Sequence, residues 1–533
     1  MMNPVWTFLI AGPLLWVASW AWALYSNYRA AKLSGLPILI SPFSPDKLPY
    51  LLLKVPLRPI LETLLPFPGV VVSIVGWEVR DKYRIHERYG PAFILVSPDK
   101  NELWCADPDM TQSILSRRRD FPQLPMTITI MSAFGTNMLT SNGEDWSRQR
   151  RIVGPNLNER ISEGVWSESM TQAHQMVDYM LRQPGGASAE TSDAMRAIAI
   201  NVLGEVGYGQ SKPFAPLKLP RDPNADLTYV EAISLCAELI VVAVFVPKWL
   251  MRLSWMPDIL KTLATALDKL PGLTSKMLEM RRKEGVHLSA AAGGKMNDDF
   301  MSMLVRLSDA GKGGDAAGAA GGKQSLTEDE IGGNLFLFTA AGFDTTANTL
   351  TYAMTILAAT PEWQAWMQEE IDQVLGKGDD DDARNYVAVY PKLSRCLAVM
   401  FETLRLHAPV PHIGRSIPHP TSIEVRGKTH QLPGRSILYI NETCMQVLPS
   451  IWGADSLEFK PSRWIEPGGE LGAEKLVTPE RNTFLPWSGG PRVCPGQKMA
   501  QVEFVTVMAA TFSRCRVEPV AKGARRQRRR RRD

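Results

Sequence analysis

No Cys-x-x-Cys pair occurs among the six cysteines, which stand singly at Cys105, Cys236, Cys396, Cys444, Cys494 and Cys515. That argues against a zinc ribbon or a disulfide framework and fits a reducing compartment. The seven histidines lack the i, i+4 spacing that sets two metal ligands on one helical face, and are expected as ordinary surface or core residues. No internal repeat is visible, and no flavin or nicotinamide domain. Charge of one sign is scarce in the body: the formal net charge is +4, but residues 522–533 hold eight Lys and Arg against one Asp. The remainder has 51 basic against 54 acidic residues, or −3. With 45% apolar and 21% charged residues, a collagen-like or wholly disordered chain is excluded. At 533 residues the chain can bury a large core, as several domains or one.

What is present begins with an uncharged apolar run over residues 5–25. It is long enough to cross a hydrocarbon layer of ~30 Å as a helix. A cleavable signal would have a basic residue before a shorter run, so an uncleaved N-terminal transmembrane anchor over residues 1–28 is expected. Arg29 and Lys32 follow and keep the bulk of the chain on the cytosolic side. Residues 29–47, with Pro37, Pro42 and Pro45, read as a stiff hinge, and the body starts near Leu48. A second apolar cluster, residues 239–251, is too short to span. It is read as core, with a loop dipping into a membrane face as the alternative.

The middle of the chain reads as long helices. Residues 311–318 formally match a Gly-x-Gly-x-x-Ala fingerprint, but the segment before them looks helical rather than extended. Residues 311–324 are therefore expected to be a flexible Gly/Ala-rich loop. Thr327 with Glu330 forms a capping-box signature opening a helix to about Ala359. Inside it lie Gly342, Asp344 and Thr345. An acid beside an alcohol in an apolar helix is costly unless hydrogen-bonded or functional; the plain alternative is a Thr bonding back to a carbonyl four residues earlier. Glu402 and Arg405, three apart on a further helix, can meet Arg463 in a buried network.

Residues 484–496 form a Gly/Pro-rich loop with one cysteine, followed by a helix from about Gln497. A thiolate placed just before a helix N-terminus is stabilised by unpaired N–H groups and becomes a metal ligand. Gly490 and Gly496 let backbone approach a flat cofactor, and Arg492 can meet a carboxylate such as a heme propionate.

On these motifs the chain resembles the cytochrome P450 family, the heme-thiolate monooxygenases, from the anchor to about residue 520. The cysteine-loop pattern falls on Trp487, Gly490, Arg492, Cys494 and Gly496, and the acid–alcohol motif on Gly342, Asp344 and Thr345. The Glu-x-x-Arg pair falls on Glu402 and Arg405 with Arg463, a Trp-x-x-x-Arg on Trp146 and Arg150, and a further propionate-contacting Arg on Arg415. The resemblance implies a mainly α fold with small β-sheets (α+β) over residues 48–520 and heme b with Cys494 as axial ligand. Trp146, Arg150, Arg415 and Arg492 would hold its propionates. Asp344 and Thr345 would relay protons to bound dioxygen, and Gly342 would leave room above the porphyrin. The partners implied are dioxygen, an apolar small molecule, a membrane reached through the anchor, and NADPH-cytochrome P450 reductase. The location implied is the endoplasmic reticulum membrane, single-pass, facing the cytosol. Nucleic acid is not expected.

The wording of the motifs looks most like filamentous-fungal members that tailor secondary metabolites. Two alternatives stay open, a heme-thiolate isomerase or dehydratase needing no reductase, and a non-catalytic remnant. Two departures bear on them. Trp487 stands where the family usually has Phe, and only 39 residues follow Cys494. The last of these, 521–533, are a basic tail expected to be disordered and read as a divergent or misread end. If the tail is functional, anionic lipid or nucleic acid is its expected partner.

Overall fold

A computed structural model describes residues 4–45, 47, 50, 53–54, 56–183, 191–217, 222–224, 226–290, 299–313, 325–376 and 385–519; for 4–10, 284–290 and 310–313 it describes the backbone alone. The basic tail and most of the 311–324 loop lie outside the described residues. Among the described residues the chain is mainly helical with one five-stranded and one two-stranded sheet, as the α+β reading expects. Its contacts define two compact units. The first is Met1–Pro125, Arg405–Glu458 and Pro479–Cys494; the second is Met126–Leu404, Phe459–Thr478 and Pro495–Asp533.

The first unit is built on strands β1 (Ile38–Ile40), β2 (Ala92–Val96), β3 (Asn101–Cys105), β4 (Ile413–Ile417), β5 (Thr421–Val425), β6 (Lys428–Leu432) and β7 (Ser436–Ile440). The larger sheet runs in the order β1-β2-β3-β7-β4, and β5 pairs with β6. Every residue of β2 and β3 is buried, so both faces of the sheet are covered there, and β2 reads as an apolar run rather than an alternation while β3 opens on the buried polar Asn101 and Glu102. Ile94, Val96, Leu103 and Leu438 pack on one side with Ile114 and Phe121. Phe93, Leu95 and Trp104 pack on the other with Trp77 and Ile85. Each such side chain contributes about 1.5–3 kcal/mol by leaving water. The β5–β6 hairpin turns through Arg426 (φ 50°) and Gly427 (φ 74°), the left-handed pair a two-residue turn requires.

The N-terminal helix, Pro4–Lys32, runs four residues into the segment expected as hinge; Ile38–Ile40 of that segment is a strand of the sheet. Its C-terminal end is docked. Leu24, Tyr28 and Ala31 join the sheet's core, and the Asn27 amide donates to the Ser97 carbonyl at 2.9 Å. Further up, Leu14, Leu15, Trp16 and Trp22 are exposed. Among the described residues, however, no helix is long and apolar enough to cross a membrane. Residues 5–10, the first part of the expected span, lie outside the residues whose side chains are described.

The second unit is a helical assembly. The Thr327 hydroxyl accepts from Glu330 N while the Glu330 carboxylate accepts from Thr327 N, so the expected capping box opens the helix Glu328–Ala359. Against it packs Thr191–Tyr208, whose Gly207 leaves room for Phe338: a Cβ there would come within 2.8 Å of the ring. Phe300–Gly313 is helical, as expected before the Gly/Ala-rich segment, and extends three residues into it. The cluster at 239–251 is not core. The helix Ile240–Phe245 buries nothing, Val241, Phe245 and Trp249 are exposed, and Met251 alone of these side chains is fully covered. A helix of six residues, Ile240–Phe245, is too short to turn one face inward.

Glu402, fully buried, accepts from Arg463 Nε at 2.9 Å, Trp464 Nε1 at 3.0 Å and Lys460 N at 2.9 Å. Removing one partner of such a buried ionic group costs about 3–5 kcal/mol. Arg405, in the first unit, donates to the carbonyls of Gln446, Ser456 and Glu458 and stacks over Trp452.

Glu503, on the helix Gln497–Phe512, shows the opposite case. Burial without a compensating charge pushes its carboxyl up to about 8. The folded state therefore holds this proton more tightly than the unfolded chain, so its contribution to stability is lost as pH rises from the ordinary carboxylate range through 8. Glu503→Gln is expected to raise the melting temperature at pH 8 by several degrees while leaving it nearly unchanged at pH 5; equal effects at both, read by thermal denaturation, would contradict this.

Candidate active site

The loop that carries Cys494 is held open by its backbone. Ser488 (φ 61°) and Gly490 (φ 65°) adopt left-handed conformations. A Cβ on Gly490 would also lie 2.9 Å from the Leu115 carbonyl oxygen, so glycine is required twice over. Cys494 N donates to Trp487 O at 2.9 Å, and Leu485 N donates to Gln446 Oε1 at 3.0 Å. The Trp487 ring stands edge-on to Phe484 at 6.2 Å, a packing the larger indole accommodates. Cys494 is the one exposed cysteine of the six. Burial pushes Cys105 and Cys236 up to about 12 and Cys396, Cys444 and Cys515 upward as well, which keeps those thiols protonated and poor ligands. The chemistry of a thiolate ligand is thus left to Cys494.

Around this loop the first unit gathers cations. Arg415, on β4, is 7% exposed, yet its hydrogen bonds go to neutral acceptors, Gln123 Oε1 at 3.0 Å and the Gly414 carbonyl at 2.8 Å. Burial pushes its guanidinium down to about 10. Arg492 is likewise pushed down to about 10, by burial and then by repulsion from Arg415 and Arg118. Arg492, repelled by the other two guanidiniums, and Arg415, buried against neutral groups, make a receptor for a multiply charged anion. A heme with two propionates fits that receptor beside an accessible cysteine. Arg118 is the residue sequence reasoning missed; the cationic run Arg117-Arg118-Arg119 was its only signal.

The remaining expected residues belong to the second unit. Trp146 and Arg150 lie one turn apart on the helix Gly143–Val153, the ring buried and the guanidinium half-buried. Gly496 is the N-cap of Gln497–Phe512, at φ −88°, a value any residue adopts. On the helix Glu328–Ala359, the Thr345 hydroxyl donates to the Ala341 carbonyl at 2.8 Å. Thr349, Thr351 and Thr355 make the same backward bond, so the bond alone does not single Thr345 out. Its neighbours do. Ala341 is exposed, and Asp344 is ion-paired to Arg196 Nη2 at 3.1 Å, a partner from another helix. A hydroxyl whose proton is committed to the helix presents an oxygen that accepts. Gly342 has a different observed reason for its missing side chain: a Cβ there would meet Leu203 at 3.2 Å, so the glycine lets two helices approach.

Arg415→Gln is expected to act with opposite signs: heme retention weakens by on the order of 10-fold or more, while the heme-free protein melts higher because a buried cation is gone. Loss of both, measured by heme titration and thermal denaturation, would show Arg415 to be an ordinary structural residue.

Comparison with known proteins agrees with this assembly. The family model described as Cytochrome P450 matches residues 59–531. A phomenoic acid biosynthesis cluster cytochrome P450 monooxygenase of Leptosphaeria maculans is 31% identical, over 92% of this chain and 88% of its own. Cytochrome P450 monooxygenases ORF6 of Penicillium roqueforti and prx9 of Penicillium rubens are each 28% identical, over 91% of this chain and 87% of theirs. The family uses heme with a cysteine thiolate as axial ligand, and the exposed Cys494 with the buried Arg415 and half-buried Arg492 of the same unit suits that use: this chain belongs to the cytochrome P450 family and is a cytochrome P450 monooxygenase.

Proposed function

We propose that this monooxygenase inserts one oxygen atom of dioxygen into an apolar small molecule of fungal secondary metabolism, with electrons from NADPH delivered by a separate cytochrome P450 reductase. The heme, when bound, supplies the activation of dioxygen. The chain's own residues do the rest. Cys494 would ligate the iron, and Arg415, Arg492 and Arg118 would neutralise and orient the propionates; Trp146 and Arg150 are proposed for the same role on their motif alone. Thr345 Oγ1 accepts and passes a proton that Asp344 brings in from solvent.

The apolar substrate class is supported by the helix Pro125–Met131, which buries none of its residues although it carries Met126, Ile128, Ile130 and Met131. The segment after it is fastened to the Glu328 helix, with Thr136 N donating to Asp329 Oδ2 and Met138 N to Asn334 Oδ1. Apolar side chains left uncovered beside a fixed scaffold suit a lipophilic ligand. The fungal relatives support the metabolic setting. The observation that carries the reading is the half-buried Thr345 hydroxyl next in sequence to the ion-paired Asp344, an acid and alcohol that a heme isomerase has no need of.

Attachment to the endoplasmic reticulum membrane, with the body facing the cytosol, is proposed on the exposed Leu14, Leu15, Trp16 and Trp22 of the first helix. Membranes co-expressing the chain and a reductase are expected to keep it through an alkaline carbonate wash. Supplied with 18O-labelled dioxygen and an apolar polyketide or terpenoid extract, they are expected to yield a product with one labelled oxygen. Thr345→Ala is expected to cut product per NADPH consumed by on the order of 10- to 100-fold and raise peroxide release. Product formation without NADPH would sink the oxygenase reading, and release by carbonate the attachment.

A further inference from the structure

Arg196 stands on the helix Thr191–Tyr208 and serves two carboxylates at once. One is Asp344, at 3.1 Å; the other is Glu238, with which it also forms an ion pair. Its guanidinium lies over the Phe343 ring, 4.9 Å from the centroid, on a phenylalanine that is itself buried. The ring fixes the plane of the cation, so the fork cannot follow either acid far. Glu238 is in an electrostatically poor place: it is the last residue of the helix Tyr229–Glu238, where the helix dipole disfavours an anion. The chain then breaks at Leu239 before the exposed Ile240–Phe245 helix. Arg196 is the contact that accounts for an acid there.

We propose that Arg196 is a positioning residue for the proton relay, and that Glu238 is the residue that makes its hold on Asp344 reversible. With a single carboxylate partner, Arg196 would be left uncompensated each time Asp344 turned away to collect or deliver a proton. With Glu238 in place, the cation stays neutralised in both positions of Asp344, and the movement costs less. The end of the Tyr229–Glu238 helix is thereby tied to the catalytic acid: displacement of Glu238 hands the whole of Arg196 to Asp344 and locks the relay. This inference rests on the reading of Asp344 and Thr345 as that relay.

The test uses carbon monoxide bound to the reduced holoenzyme, whose infrared stretch reports the charges near the oxygen site, together with peroxide released per NADPH consumed in reductase-supplemented membranes. Asp344→Asn should shift the stretch; if it alters neither readout, the relay reading falls and this proposal with it. Given that shift, Arg196→Gln is expected to broaden or move the band and Arg196→Lys to restore it. Glu238→Gln is expected to keep the wild-type band position while raising peroxide release at least about twofold, because Asp344 is held and not displaced. A wild-type band and wild-type peroxide release in Arg196→Gln would overturn the proposal while leaving the relay intact. Should Arg196→Gln fail to take up heme, unchanged peroxide release in Glu238→Gln overturns it equally.

Discussion

A guanidinium withdrawn from water without an anion beside it is a debt the protein alone does not settle, and Arg415 is in that position, with an amide oxygen and a carbonyl as its partners. Arg492 and Arg118 add to the strain rather than relieve it, since like charges face each other. A fold tolerates such a cluster when a ligand completes it, and the ligand must then be flat enough to lie against a Gly/Pro loop and carry at least two negative charges. Heme meets both conditions. The loop around Cys494 is fixed by backbone geometry: a side chain at Gly490 would collide with Leu115.

The second unit solves a different problem, namely how to keep acid and alcohol groups in a long helix without unravelling it. Its threonines bond back to carbonyls four residues earlier, so hydroxyls are satisfied at no cost in helical hydrogen bonds. Asp344 is satisfied across helices by Arg196. Glu402 is satisfied within the unit by Arg463, Trp464 and the Lys460 amide, which anchors the segment Pro461–Trp464. Glu503 is the exception, a carboxyl buried in the same unit without a compensating charge.

What the sequence made legible was local. The Thr327 capping box placed the start of the long helix to the residue, because its two hydrogen bonds are both between neighbours. The cysteine loop was legible because glycine and proline spacing encodes backbone conformation directly. What stayed hidden was non-local. Arg196 and Glu238 are ordinary residues in their own helices and acquire meaning from a third. The 239–251 cluster looked like core because apolarity is visible in sequence and covering surface is not. Lys32, not residue 28, ends the first helix, since the chain remains free to continue until the approach to Pro37. Gly342 was expected to make room for a ligand and is seen making room for Leu203.

The central claim is that Cys494 ligates a heme in this chain, and the most direct measurement is the absorption spectrum of the reduced, carbon-monoxide-bound protein in membranes, beside Cys494→Ala. The account predicts the strongly red-shifted Soret band of thiolate-ligated heme in the wild type and its disappearance in the variant. A red-shifted band that survives in Cys494→Ala, or its absence from well-expressed wild-type protein, would contradict it.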